Sequence, residues 1–173
     1  MQPAVFFDRD GIVNRSPGPG YVNHVDDFHL LPGFIECVRA ATRKHIPCII
    51  VTNQRGVGRG ITPPAQLAAM HRRLADAMTR EHLALLDILV CTADDVRHPN
   101  RKPNPGMLLE AATRHHLDLS RSWMIGDRET DVQTGRNAGV AVTVLVDAGT
   151  EPTNATYRAP DMKACAVLLG EKL

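Results

Sequence analysis

The chain has 173 residues, 43% of them hydrophobic and 23% charged, with a formal net charge of +1. That length fits a single domain over residues 1–173, able to bury roughly 70% of the surface an unfolded chain exposes without help from disulfides. A net charge near zero argues against nucleic acid or an anionic membrane as the main partner, and no apolar run approaches transmembrane length.

The elements follow in chain order. Residues 4–7 are a short apolar run that stops at Asp8, as a strand buried on both faces would. Residues 11–32 are rich in Gly, Pro, Asn and Asp and read as a long loop, and long loops in compact domains are usually functional. A helix is predicted over 34–45, with Phe34, Ile35, Val38 and Ala41 on its apolar face. A second strand, 46–51, ends at Thr52, and residues 53–60 form a Gly-rich loop. Thr62 followed by Pro63 predicts a capped helix running to about residue 82. A third strand covers 85–91, a polar loop 92–104, and Asn104-Pro105 repeats the cap-then-proline signal before a helix to about 116. A fourth strand, 122–126, ends at Asp127. A short helix then closes at Gly139, a fifth strand covers 140–146, 147–160 is loop, and Asp161 caps a last helix. Strands alternating with helices predict an α/β, three-layer sandwich around a mostly parallel, Rossmann-like sheet, with no insertion long enough for a separate cap domain.

The four cysteines, Cys37, Cys48, Cys91 and Cys165, are scattered and form no C-x-x-C pair. The N-terminus lacks the basic stretch and apolar core of a secretory signal. Both features predict a reducing, cytoplasmic setting.

Three apolar runs end in an oxygen-bearing side chain: Val5-Phe6-Phe7 delivers Asp8, Ile49-Ile50-Val51 delivers Thr52, and Met124-Ile125-Gly126 delivers Asp127. One such ending is ordinary. Three of them suggest convergence, because ligands of an open parallel sheet bind beyond the carboxyl ends of its strands. Asp8 and Asp10, two apart, can point to the same side. Two carboxylates held close repel unless one is protonated or a cation sits between them. Such a pair suits one nucleophile and one proton shuttle. Gly11 permits a tight turn there, and the pattern D-x-D-G-x-x-N arises by chance in roughly one chain of this size in several hundred. Asp127 and Asp131 add two acids at the start of a helix, hard oxygen ligands that suit Mg²⁺. Lys102, beside Arg101 on the loop after the third strand, can offset charge on a phosphoryl group.

These residues resemble the haloacid dehalogenase superfamily of phosphotransferases, whose four motifs match in order: Asp8-x-Asp10, Thr52, Lys102, and Gly126-Asp127-x-x-x-Asp131. Within it the chain is similar to the D,D-heptose 1,7-bisphosphate phosphatases and the related histidinol phosphatases. The segments that carry this are Asp8-Arg9-Asp10-Gly11-Ile12-Val13-Asn14, Gly20-Tyr21-Val22, Leu31-Pro32-Gly33, residues 51–60 and residues 101–107. The resemblance implies an Mg²⁺-dependent phosphatase acting on a small phosphorylated sugar as a monomer. It implies Asp8 as nucleophile, Asp10 as general acid and then base, Thr52 and Asn53 as donors to the phosphoryl group, and Lys102 as its counter-charge. Asp127 would hold the metal with the Asp8 carboxylate and the Asp10 carbonyl, and Asp131 would support the site. Arg101, Arg59, Arg128, Tyr21 and His24 are the expected substrate contacts, with Arg55, Arg59 and Arg101 as candidates for a second phosphate.

Two departures stand out. Of the Cys-x-His and Cys-x-Cys ligands that often build a zinc loop in this subfamily, only Cys91 remains. Cys91 and His98 cannot supply four ligands, so no structural zinc is expected. Arg128 stands where heptose members usually have Lys, which keeps the charge and changes its geometry.

Overall fold

The computed structural model describes residues 1–173. Its centre is a six-stranded sheet in the order β3-β2-β1-β4-β5-β6, with every pairing parallel. The strands are β1 (Val5–Phe7), β2 (Cys48–Asn53), β3 (Asp87–Cys91), β4 (Trp123–Gly126), β5 (Val142–Val146) and β6 (Tyr157–Ala159). β1 to β3 step outward in one direction and β4 to β6 in the other. The topological switch therefore falls between β1 and β4, where ligands of such sheets collect.

Strand alternation divides the core. Val5, Phe7, Ile50 and Ile125 face one side and pack with residues of α1 (Pro32–Arg43), α3 (Pro64–Arg80) and α6 (Met162–Lys172). Ala4, Phe6, Ile49, Val51 and Met124 face the other side and meet Met107, Leu108 and Ala111 of α4 (Gly106–His115), with α5 (Glu129–Ala138) beside it. Phe7 meets Phe34 edge-on, with ring centroids 5.3 Å apart. α1 lies so close to α6 that a Cβ on Gly33 would fall 2.6 Å from the Met162 carbonyl carbon, so glycine is required there. No helix is long and apolar enough to cross a membrane.

Four local features differ from the sequence reading. The Gly-rich stretch after β2 contains a single helical turn, α2 (Arg55–Gly58). β6 lies inside the stretch 147–160 that reads as loop; it is a three-residue edge strand, too short to show a period. Thr62 does not cap α3: the cap position is Pro63, and the Thr62 hydroxyl donates instead to Asn23 Oδ1 at 2.7 Å. Asn104 likewise does not cap α4, which begins after Pro105; its amide donates to the Val96 and His98 carbonyls, both at 2.9 Å. In both cases another acceptor outcompetes the helix end, across the fold for Thr62 and within its own loop for Asn104. Asp161 does cap α6, accepting the Ala164 N–H at 2.8 Å.

Candidate active site

Three adjacent strands deliver their terminal side chains to one rim. Phe7 lies level with Ile50 of β2 and Ile125 of β4. Asp8 follows directly and donates its N–H to the Ile125 carbonyl at 2.9 Å. Thr52 and Asp127 each lie two residues beyond those partners, one step above Asp8.

Lys102 reaches the same point from the loop between β3 and α4. Asn53 fixes that loop to the end of β2: its Nδ2 donates to the Lys102 carbonyl at 3.2 Å, and its Oδ1 accepts the Lys102 N–H at 3.1 Å. The Lys102 ammonium sits 2.7 Å from Asp8 Oδ1 and 2.6 Å from Asp131 Oδ1, all three side chains nearly or fully buried. Asp131 Oδ2 accepts the Arg128 N–H at 3.2 Å, closing the first turn of α5. That helix reaches the sheet end because residue 126 is glycine; a Cβ there would fall 2.2 Å from Asp131 Cβ.

Burial pushes the Asp8 carboxyl up to about 6 despite the opposing Lys102 charge. Burial, reinforced by Asp8, likewise pushes Asp127 up to about 6. For Lys102 burial disfavours the ammonium, but the Asp131 and Asp8 carboxylates outweigh it, and its pKa lies above the ordinary lysine value. Three acids against one lysine leave an excess of negative charge. Asp127 Oδ1 is buried with no hydrogen-bond partner, and oxygens of Asp8, Asp127 and Asp131 lie within 4.8 Å of one another. An orphaned acceptor in a compact set of hard oxygen donors fits a small divalent cation. Asp131 is committed to Lys102 and Arg128, which leaves Asp8 and Asp127 as the carboxylates free to hold one.

The Asp10 carboxylate sits in a clamp. Arg9 donates to Oδ1 from Nη2 at 2.8 Å and from Nε at 3.1 Å, and Asn14 Nδ2 donates to the same oxygen at 3.0 Å. Gln54 Nε2 donates to Oδ2 at 3.0 Å and also to Thr52 Oγ1 at 2.8 Å. Arg9 is 1% exposed and lies 5.7 Å above the Phe28 ring. Sequence reasoning missed Arg9 and Gln54 as functional neighbours, because a residue between two acids reads as a spacer. Asn14 was visible only as the last letter of D-x-D-G-x-x-N.

A polar cavity of about 340 Å³ opens over Asp8, Asp10, Lys102 and Asp131, walled also by the loop 17–21, Asn53, Arg55, Arg101, Arg128 and Thr130, while Thr52 and Asp127 lie beneath its lining. Of the expected substrate contacts, Asn53, Tyr21, Arg101 and Arg128 line it. Two do not. His24 instead caps the turn Val25–Asp27, accepting the Asp26 N–H at 3.3 Å, because that isolated turn needs a side-chain acceptor. Arg59 faces Asp94, its Nε donating to Oδ2 at 2.9 Å, and only its tip approaches the Tyr21 hydroxyl, at 3.5 Å. Cys91 Sγ lies 3.8 Å from His98 Nδ1, which accepts the Asn100 N–H at 3.2 Å.

The doubly wound sheet, with the acid after β1 and an acid of α5 meeting a lysine at its switch point and the acid after β4 beside them, defines an α/β phosphotransfer hydrolase. Residues 99–168 match the family model described as HAD-hydrolase-like. The chain is 37% identical over 153 residues to the D-glycero-beta-D-manno-heptose-1,7-bisphosphate 7-phosphatase of Mesorhizobium japonicum, covering 84% of this chain and 70% of that one. It is 35% identical over 155 residues to the alpha-anomer enzyme of Burkholderia mallei, covering 83% and 79%. The crystal structure of D,D-heptose 1,7-bisphosphate phosphatase from B. bronchiseptica, complexed with magnesium and phosphate, superposes with a TM-score of 0.87 over the full length of both chains, at 28% identity. The chain belongs to the D-glycero-D-manno-heptose-1,7-bisphosphate 7-phosphatase family of haloacid dehalogenase-like hydrolases.

Proposed function

We propose that this chain hydrolyses the C7 phosphate of D-glycero-D-manno-heptose 1,7-bisphosphate through an aspartyl-phosphate on Asp8, with Mg²⁺ as its cofactor. The observation that carries the reading is Asp8 on the floor of a polar cavity, one oxygen held by buried Lys102. Relatives of this chain include enzymes for either anomer of the sugar.

Each residue's part follows from its place. Lys102 and the Thr52 hydroxyl offset charge on the phosphoryl oxygens as the transition state spreads it. Asn53 serves by holding the Lys102 main chain. Asp8 forms the acyl phosphate as the sugar C7 oxygen departs, and Asp10 protonates that oxygen. Asp10 then takes a proton from the water that cleaves the acyl phosphate, returning Asp8. Arg9, Asn14 and Gln54 keep the Asp10 carboxylate at the height where both transfers can occur. Asp8 and Asp127, with the Asp10 carbonyl, would hold Mg²⁺, which when bound screens the repulsion between a carboxylate and a phosphate dianion.

The test is phosphorus NMR of the bisphosphate during turnover. Loss of the C7 resonance, dependent on Mg²⁺ and abolished by Asp8→Asn, is the expected result. Loss of the C1 resonance, or an active Asn variant, would refute the assignment. Histidinol phosphate and simple phosphate monoesters serve as competing substrates.

A further inference from the structure

The mouth of the cavity carries a second ion cluster. The Arg55 guanidinium places Nε and Nη2 each 2.9 Å from Asp94 Oδ1, and the Arg59 guanidinium places the same pair each 2.9 Å from Oδ2. Arg101 donates to the Asp94 main-chain carbonyl and has a nitrogen 3.9 Å from Oδ1. One aspartate thus gathers three guanidiniums, two on its carboxylate and one on its main-chain carbonyl. The arrangement is built into the backbone: α2 presses so tightly on the end of β3 that a Cβ on Gly58 would fall 2.0 Å from the Thr92 carbonyl oxygen. That approach turns Arg55, at the start of α2, and Arg59, just past its end, toward Asp94.

The Nε–Nη2 edge is the face with which arginine grips a carboxylate or phosphate. On Arg55 and Arg59 that face is already taken. Asp94 is still 46% exposed at its side chain, so solutes reach the cluster. Arg55 and Arg101 also line the cavity, so the cluster and the reaction floor share walls. Hydrogen bonds from Arg59 and then Arg55 hold the Asp94 carboxyl below its usual range, and it stays ionised at neutral pH.

We propose that Asp94 is a tethered anion occupying the place of a substrate's distal anionic group, and so sets how strongly this chain prefers a bisphosphate to a plain monoester. The inference rests on the phosphatase reading above. A dianionic distal phosphate meets the two cavity-lining cations Arg55 and Arg101, with Arg59 behind them, and one fixed anion; with Asp94 neutral it meets the cations alone. Removing a negative charge within several ångströms of a dianion at a half-exposed site strengthens its binding about five-fold, and less at high salt.

The experiment compares KM for a sugar bisphosphate with KM for p-nitrophenyl phosphate, which has no distal anion, in wild type, Asp94→Asn and Asp94→Glu. The expected result for Asp94→Asn is a bisphosphate-to-monoester KM ratio about five-fold lower than in wild type, shrinking in 0.5 M salt in the assay. Asp94→Glu, which restores the charge, returns the ratio toward wild type. In an Arg55→Gln background the gain from Asp94→Asn should shrink. An unchanged or raised ratio in a folded Asp94→Asn protein overturns the proposal, as does a gain that survives loss of Arg55. Failure of wild type to hydrolyse either ester would instead sink the phosphatase reading, so the two failures are distinguishable.

Discussion

Two ion clusters adjoin one cavity, and their distances are alike: 2.6 and 2.7 Å around Lys102, 2.9 Å around Asp94. What separates them is water. Lys102, Asp8 and Asp131 are nearly or fully buried, whereas Arg55, Asp94 and Arg59 are a third or more exposed. A unit-charge pair about 4 Å apart is worth about 1 kcal/mol in water and about 4 kcal/mol at an effective dielectric near 20. The inner cluster can therefore stabilise a reacting phosphoryl group. The outer one can only bias what arrives. Equal geometry gives unequal consequence.

The sharpest way to break this comparison is at its centre. Asp8→Asn keeps the shape and removes the proposed nucleophile; turnover should fall by more than about 10³-fold, while circular dichroism shows a folded protein. Lys102→Met should abolish turnover too, but for a second reason: it leaves buried carboxylates unpaired. Its stability should drop by about 3–5 kcal/mol in urea unfolding. A Lys102→Met protein as stable as wild type would mean that the inner cluster is wetter than its burial indicates.

Proton linkage sharpens the same point. Asp8 and Asp127 have folded pKa values raised from 3.8 to about 6. Between those values the folded metal-free protein binds more protons than the unfolded chain, so its stability falls as pH rises through about 4 to 6. The combined loss is a few kcal/mol. Mg²⁺ competes with those protons, so it should raise Tm more at pH 7.5 than at pH 5, readable by scanning fluorimetry. An equal Mg²⁺ effect at both pH values would contradict the raised carboxyls.

A smaller effect is expected at the Asp10 clamp. Arg9→Met keeps the volume beside Phe28 and removes three of the donated hydrogen bonds to Asp10. kcat should fall about 100-fold with KM little changed, and the pH–rate profile should move, because the group proposed to transfer the proton is displaced. A change in KM alone would assign Arg9 to packing. Least of all should happen to stability at the outer cluster: Arg59→Gln should leave Tm within measurement scatter, as exposed ion pairs generally do.

Much of the site was legible along the chain because the chemistry sits at strand ends, and strand ends are where apolar runs stop. Asp8, Thr52 and Asp127 stand out for that reason, and Lys102 by its motif. Arg9 and Gln54 were not legible as partners of Asp10. Their hydrogen bonds depend on side-chain directions that no spacing rule encodes. The helix caps expected at Thr62 and Asn104 failed for a related reason, since each side chain found a better partner away from the helix end.

Taken alone, then, the order of residues determined the alternating α/β pattern and the four polar positions that such a sheet gathers at its carboxyl edge, because burial periodicity and backbone preference act over a few neighbours. Only the tertiary structure decided which charges meet. It joined Lys102 to Asp131, turned Arg9 onto Asp10 and drew Arg55 and Arg59 onto Asp94, since long-range electrostatics and close packing depend on distances that sequence separation does not contain.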